Sequence, residues 1–292
     1  MAIIIDGKAT AQKIRSEIAA EVRHLATEGI QPGLAVVLVG DNPASKVYVS
    51  MKEKACHDVG IFSDEHTLPA ETEEQQLLSL IDRLNNDDRI HGILVQLPLP
   101  THINEAKVLE AISPAKDVDG FHPYNVGRLV LGKPTFQPCT PYGIMVLLRE
   151  YNIDLKGKEV VIVGRSNIVG KPVAFMCLKQ HATVTICHTR TVDLPTKIGM
   201  ADVLIVAAGR PEVVRGEWIK QGAVVIDVGV NRVAEKKLVG DVEFETAARR
   251  AAYITPVPGG VGPMTITMLL QNTLQSAKMA NEIKSTAKEQ SP

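Results

Sequence analysis

Lys158-Glu159-Val160-Val161-Ile162-Val163-Gly164-Arg165-Ser166-Asn167-Ile168-Val169-Gly170-Lys171-Pro172 is the stretch from which the fold can be read. Four consecutive apolar β-formers, Val160 to Val163, stop at a glycine. A polar turn follows, then a second glycine and a proline suited to a first helical turn. The pattern predicts a buried strand, a tight loop and a helix. A helix N-terminus offers unpaired N–H groups and partial positive charge, which suits a pyrophosphate. Gly164 is free to take a positive φ, and Gly170 lets the helix come close to the sheet. The fingerprint G-x-G-x-x-G is absent, because the two glycines stand alone, six apart. Taken alone, the stretch fits an ordinary strand-to-helix turn as well as a phosphate loop.

Downstream, strands are expected at Glu159–Val163, Thr183–Cys187, Val203–Ala207 and Val224–Val228, with a further one at Ala252–Ile254. Helices between them make a small doubly wound domain whose first strand-to-helix turn is at Gly164. The loop Pro256-Val257-Pro258-Gly259-Gly260-Val261-Gly262-Pro263 follows, then a long helix from Met264 to Met279. That helix is more apolar than the small domain needs, so it is expected to pack on the preceding domain. The tail from Ser285 is polar and expected to fray.

Upstream, Ala2–Ile5, Leu34–Val39, Phe62–Leu68 and His91–Leu97 read as strands. They alternate with helices that carry Ile14, Ile18, Val22 and Leu25, and Leu77, Leu80, Ile81 and Leu84, at helical spacing. The alternation means a parallel α/β sheet. The segment Ser113–Pro138, rich in Asp, Gly, Pro and His, reads as loops. Thr140-Pro141 reads as a cap and first turn of a helix through Arg149. These observations predict an α/β protein of two domains, 1–139 and 140–263, with the helix 264–284 rejoining the first.

Composition narrows the function. Thirty-two basic and 33 acidic residues leave a net charge of −1, which gives no reason to expect a polyanion partner such as nucleic acid. Cys56, Cys139, Cys177 and Cys187 are scattered and form no C-x-x-C pair, so a disulfide framework or zinc site is not expected and a reducing cytoplasm fits. No metal-ligand spacing stands out among the histidines. No secretory signal or run of membrane-spanning length is expected.

The second strand of a dinucleotide domain often ends in an acid that binds the ribose of NAD. Here the strand runs into His188-Thr189-Arg190-Thr191. With Arg165 in the glycine loop, Arg190 suits a 2′-phosphate, which favours NADP; solvated surface arginines are the plain alternative. Val230, after the fourth strand, is placed near the nicotinamide half. In the first domain, Tyr48 and Lys52 lie i, i+4 on one helix face. Gln96 closes the apolar run Val95-Gln96-Leu97-Pro98, where an amide needs a partner. Lys116-Asp117-Val118-Asp119-Gly120 supplies carboxylates, or simply an acidic turn.

Taken together and in order, Tyr48-x-x-x-Lys52, Val95–Pro100, Lys116–Gly120, Gly164–Pro172 and Pro256–Pro263 resemble the bifunctional methylenetetrahydrofolate dehydrogenase/methenyltetrahydrofolate cyclohydrolase family over nearly the whole chain. The wider glycine spacing belongs to that family. Thr189 stands where many relatives carry Ser, and a hydroxyl remains. The resemblance implies a Rossmann-like NADP domain, a folate-binding catalytic domain and a cleft between them. It implies oxidation of 5,10-methylenetetrahydrofolate with NADP, then hydrolysis of the methenyl product to 10-formyltetrahydrofolate. Lys52 would be the central catalytic group, oriented by Gln96, with Tyr48 lining the pterin site and Asp119 binding the pterin ring. Val95, Leu97 and the loop Pro258, Gly259, Gly260, Val261 and Gly262 would contact substrate. Gly164, Arg165, Ser166, Thr189, Arg190 and Val230 would contact cofactor. The family is usually a homodimer. Rival readings are a dehydrogenase of small keto or hydroxy acids, which lacks a carboxylate-binding arginine motif, and a non-catalytic dinucleotide sensor.

Overall fold

The computed structural model describes residues 1–133, 135–234 and 237–289. In chain order its strands are β1 (Ile3–Ile4), β2 (Gly33–Val39), β3 (Phe62–Leu68), β4 (Gly92–Val95), β5 (Glu159–Val163), β6 (Thr183–Cys187), β7 (Val203–Val206), β8 (Val224–Asp227), β9 (Asn231–Ala234), β10 (Lys237–Val239) and β11 (Tyr253–Ile254). Its helices are α1 (Gly7–Thr27), α2 (Pro43–Val59), α3 (Glu74–Asn85), α4 (Glu105–Ala111), α5 (Pro123–Val130), α6 (Cys139–Glu150), α7 (Gly170–Lys179), α8 (Leu194–Gly199), α9 (Phe244–Arg250) and α10 (Val261–Glu289). None of the described helices is long and apolar enough to cross a membrane.

The chain forms two compact units. One holds Lys13–Arg128, a short stretch before Pro138, and the chain from Ile266 onward. Its three-stranded parallel sheet has the order β3-β2-β4. All seven residues of β2 are buried, which is why this strand is an unbroken apolar run rather than an alternating one. Leu77, Leu80, Ile81 and Leu84 form the buried stripe of α3 and join β2 and β4 in one core with Ile90, Ile93 and Val108. Asn104 caps α4 by accepting from Lys107 N at 3.2 Å.

The other unit holds Met1–Gln12, Leu129–Lys133 and Pro138–Thr265. Its six-stranded sheet has the order β1-β11-β8-β7-β5-β6, and every pairing in it is parallel. The central strands β5, β7 and β8 are runs of Val, Ile and Leu, buried because helices cover parallel sheets on both faces. Val161, Val163, Leu204, Val206, Val225 and Ile254 anchor its core.

Five expectations need correction. The strand at the N-terminus does not join the first sheet: β1 pairs with β11, so residues 1–12 go with the unit that the sequence reading began at 140. A two-residue strand shows no period from which its partner could be read. Ser113–Pro138 is not all loop, since it contains α5, which Asn125 ties down by donating to Pro114 O at 2.9 Å and to the Asp117 carboxylate at 2.8 Å. An antiparallel ribbon of β9 and β10 follows β8, where no strands were expected. Thr140 is not a cap. The helix begins at Cys139, and the Thr140 hydroxyl meets that of Thr265 at 2.9 Å. Finally, α10 begins at Val261, inside the expected loop, rather than at Met264, and it runs on to Glu289 instead of fraying from Ser285; the last three residues of that expected tail lie outside the described residues.

Candidate active site

In the three-stranded unit, α2 carries Tyr48 and Lys52 one turn apart. Lys52 Nζ donates to Gln96 Oε1 at 2.9 Å. Gln96 stands just beyond β4 and extends its ladder, its backbone N–H donating to Val37 O at 2.8 Å. Its side-chain Nε2 donates to Leu97 O at 2.7 Å. That second bond fixes the amide with its oxygen toward the lysine, so Lys52 meets an acceptor in a set orientation. Val95 is buried beneath this point, and Leu97 leads into a cis bond at Pro98. Tyr48 is 46% exposed, with Val47 and Met51 also open to solvent beside it, so an apolar and aromatic helix face borders the lysine. Cys56, one turn further, is fully buried, and burial pushes its thiol up to about 12, which leaves it an inert core residue.

The Lys116–Gly120 turn is built from the inside. Asp117, buried, accepts from Phe121 N at 3.2 Å, His122 N at 2.9 Å and Asn125 Nδ2 at 2.8 Å. Burial nonetheless outweighs these donors, and with some help from the neighbouring Asp119 charge it lifts the Asp117 carboxyl to about 6. Lys116 turns inward and donates to the Leu84 and Asp87 carbonyls. The far half of α10 holds the same turn. Asn272 donates to Val118 O at 2.8 Å and Gln137 O at 2.9 Å, while Ser276 donates to His91 O and Ala115 O. Asp119 itself is half-buried on this fixed turn.

In the six-stranded unit, β5 ends at Gly164 with φ +130°, a conformation that L side chains rarely adopt. A Cβ there would overlap the Ala207 carbonyl, and one at Gly170 would overlap the Gly164 carbonyl. Strand ends and helix start are therefore packed backbone to backbone, as a phosphate loop requires. Ser166 Oγ accepts from Val169 N at 3.1 Å and Gly170 N at 3.3 Å. The hydroxyl thus caps the start of α7 and keeps only its proton to donate. β6 lies beside β5 in register Val163↔Cys187, so Gly164-Arg165 and His188–Arg190 leave adjacent strand ends. Arg165, Ser166, Thr189 and Arg190 are all exposed. The turn after β6 is closed by His188 N donating to Thr191 Oγ1 and Arg190 N donating to His188 Nδ1. These residues fit a dinucleotide with a 2′-phosphate: a cramped glycine loop at a helix start, two exposed guanidinium groups on adjacent strand ends, and no acid at the tip of β6.

Val230 is exposed just past β8. Pro258, Gly259 and Gly260 belong to this unit as well and lead into α10, whose first residues are Val261 and Gly262. Lys8 N donates to Gly259 O at 3.0 Å, and Gly7 leaves no room for a side chain against the Gly260 carbonyl. The expected substrate contacts thus divide: Tyr48, Lys52, Val95, Gln96, Leu97 and Asp119 lie in one unit, and Pro258, Gly259, Gly260, Val261 and Gly262 in the other. Sequence reasoning named Asp117 only as a carboxylate of an acidic turn and passed over Asn125, Asn272 and Ser276; all four hold the Asp119 turn. Asn272 and Ser276 meet their partners more than a hundred residues back in the chain, so no local pattern marked them.

Comparison with known proteins gives a consistent result. A model of the tetrahydrofolate dehydrogenase/cyclohydrolase catalytic domain matches residues 5–119, and a model of the NAD(P)-binding domain of the same family matches residues 138–281. The bifunctional protein FolD of Geotalea daltonii is 76% identical over 95% of this chain and 99% of its own length. Among solved structures, the bifunctional FolD methylenetetrahydrofolate dehydrogenase/cyclohydrolase of Campylobacter jejuni superposes with a TM-score of 0.94 at 53% identity, covering 96% of this chain and 99% of that one. The Trypanosoma brucei methylenetetrahydrofolate dehydrogenase-cyclohydrolase, solved with NADP and an inhibitor, gives 0.93 at 43% identity, covering 96% and 98%.

Proposed function

The chain belongs to the tetrahydrofolate dehydrogenase/cyclohydrolase family, and from that premise we propose that it oxidises 5,10-methylenetetrahydrofolate with NADP and hydrolyses the 5,10-methenyl product to 10-formyltetrahydrofolate. The observation that carries the reading is the 2.9 Å bond from Lys52 Nζ to the oriented Gln96 Oε1. NADP, when bound, supplies the hydride acceptor. Gly164, Arg165, Ser166, Thr189, Arg190 and Val230 are the residues that would hold it, the arginines facing the 2′-phosphate.

On the folate side, loss of hydride leaves a cation shared between N5, the bridging carbon and N10. Water adds to that carbon. One proton of the water goes to solvent by way of Lys52, and the other ends on N5 as the N5–carbon bond breaks. Lys52 is the proton-transfer group. Gln96 holds its nitrogen in place and can do so in either protonation state, because a lysine nitrogen donates in both. Tyr48 offers a ring face to the pterin, and Asp119 accepts from the pterin's amino and ring N–H groups. Val95 and Leu97 shape the wall on either side of Gln96. The Pro258–Gly262 segment, which runs into the N-terminus of α10, contributes backbone donors toward the substrate. Division of labour follows: folate chemistry on the unit of residues 13–128 together with the chain from Ile266 onward, and NADP on the unit of residues 138–265, with residues 1–12 supplying the edge strand of its sheet.

The test is spectrophotometric. Purified protein with methylenetetrahydrofolate and NADP should yield NADPH together with methenyl absorbance that then decays. Absence of both signals with either nicotinamide cofactor overturns the assignment. We further infer a cytoplasmic homodimer with no nucleic-acid partner; the four described cysteines are buried and form no disulfide, and the net charge of −1 offers nothing to a polyanion. A monomer in sedimentation velocity would refute the dimer.

A further inference from the structure

Two carboxylates lie buried at the carboxyl ends of β7 and β8, Asp241 fully and Asp227 nearly so. Asp241 Oδ2 accepts from Ala208 N at 2.7 Å and Gly209 N at 2.8 Å. Asp241 Oδ1 accepts from Arg210 N at 3.0 Å and Asn231 Nδ2 at 2.8 Å. Three successive amides converging on one anion is the geometry of an anion-binding nest, and here the chain supplies the anion itself. Asp227 in turn fixes the Asp241 backbone, accepting from Asp241 N at 3.0 Å, Val242 N at 2.9 Å and Gly229 N at 3.0 Å. The space is exact: a side chain at Gly229 would run into the Asp241 carboxylate, and one at Gly240 into that of Asp227.

The segments so fixed are those that border the glycine loop. Ala207 N donates to Val163 O at 2.8 Å, and the Ala207 carbonyl is the group against which Gly164 is packed. Asn231 directly follows Val230. We propose that Asp241 is a positioning residue for the nicotinamide cofactor, holding the segments after β7 and β8 in the shape that receives it. This rests on the reading that NADP binds this unit through Gly164 and its neighbours. Asp241 touches no cofactor atom in this scheme; it acts through the backbone of Ala207–Arg210 and through Asn231. An uncharged isostere cannot replace it, because an amide at position 241 turns one donor group against the Ala208 and Gly209 donors or against Arg210 and Asn231.

The test compares Asp241→Asn with Gly164→Ala by steady-state kinetics and thermal melting. Asp241→Asn should raise the KM for NADP at least tenfold. Its cyclohydrolase rate on methenyltetrahydrofolate, which consumes no NADP, should stay within twofold of wild type, and so should its KM for methylenetetrahydrofolate. A parallel loss of both activities with the melting temperature would make Asp241 merely structural and overturn the proposal. If Gly164→Ala raises the NADP KM and Asp241→Asn does not, the positioning role fails while the cofactor site stands. If neither changes it, the cofactor site itself is elsewhere and the proposal falls with it. Should Asp241→Asn not fold, Asn231→Ala removes one of the four bonds at a half-buried residue. It should raise the NADP KM about threefold with the cyclohydrolase unchanged, and an unaltered NADP KM would refute the role.

Discussion

Replacing Lys52 by methionine tests the chemistry most directly. Methionine is apolar, unbranched and of similar length, so the change removes a nitrogen without opening a large cavity. In the folded protein it deletes the 2.9 Å bond to Gln96 Oε1, whose amide stays tethered through Nε2 to Leu97 O. Gln96 is half-buried, so its freed oxygen can take a water, and the stability cost is about 1 kcal/mol. Removing a positioned acid–base group costs a factor of about 10²–10⁴ in rate, or roughly 3–5 kcal/mol of barrier. The two magnitudes separate cleanly. Lys52→Met should lose cyclohydrolase activity by at least about 10²-fold, while its melting temperature moves by less than about 4 °C. Gln96→Ala should lose less, about 10–100-fold, since it removes one hydrogen bond to a partner that carries charge when protonated, worth about 1.5–3 kcal/mol. The assay is the decay of methenyltetrahydrofolate absorbance, read beside circular dichroism. Methenyl hydrolysis retained at the wild-type rate in Lys52→Met would refute the assignment, and Gln96→Ala more damaging than Lys52→Met would refute the division of roles.

Asn272→Ala removes two bonds that a single buried amide donates to the Val118 and Gln137 carbonyls; urea denaturation should show a loss of about 2–4 kcal/mol. Because Val118 precedes Asp119, the KM for methylenetetrahydrofolate should rise severalfold while that for NADP holds; equal rises in both would discard the link. The pH dependence of stability has a definite sign. Burial, opposed by three backbone donors and aided by Asp241, raises the Asp227 carboxyl to about 7, against about 4 in an unfolded chain. Between those values the folded state keeps a proton that the unfolded state has lost. This contribution therefore favours folding on the acid side and is lost as pH rises from about 4 to about 7, by as much as roughly 4 kcal/mol. Asp117, raised to about 6, acts in the same direction. Urea midpoints from pH 5 to 7.5 should fall more steeply in the wild type than in Asp227→Asn; identical slopes would exclude Asp227 as the source.

Where packing follows directly from local pattern, sequence reading reached the residue. β5 and β6 begin and end as expected, and the stripe Leu77, Leu80, Ile81 and Leu84 is the buried face of α3. These elements bury enough side chain for their period to be their signature. α5 does have an apolar face, but it is short, Gly127 interrupts it, its segment is rich in Asp, Gly, Pro and His, and Asn125 anchors it through contacts eight and eleven residues back. The β9–β10 ribbon is largely exposed, so its strands carry no core face to read. Within the site, the pairing of Lys52 with Gln96 spans 44 residues, and nothing in local spacing brings them together. It was legible only through the family resemblance. Asp227 closes a buried strand much as Gln96 does, so the rule that singled out one polar strand end applied equally to the other.

The pairing of β1 with β11 bears on how the chain can be made and divided. Ile3 and Ile4 find their partners in Tyr253 and Ile254, some 250 residues later. On a ribosome, the first strand to emerge is therefore among the last to be paired, and it must remain unpaired while nearly all the remaining strands are synthesised. Its shortness makes that wait tolerable, because two residues offer little edge for a wrong partner. The same connection means that no single cut near residue 139 yields a cofactor fragment with its sheet intact. Such a fragment would expose β11 as a raw edge, and a soluble version would need residues 1–12 grafted back beside it.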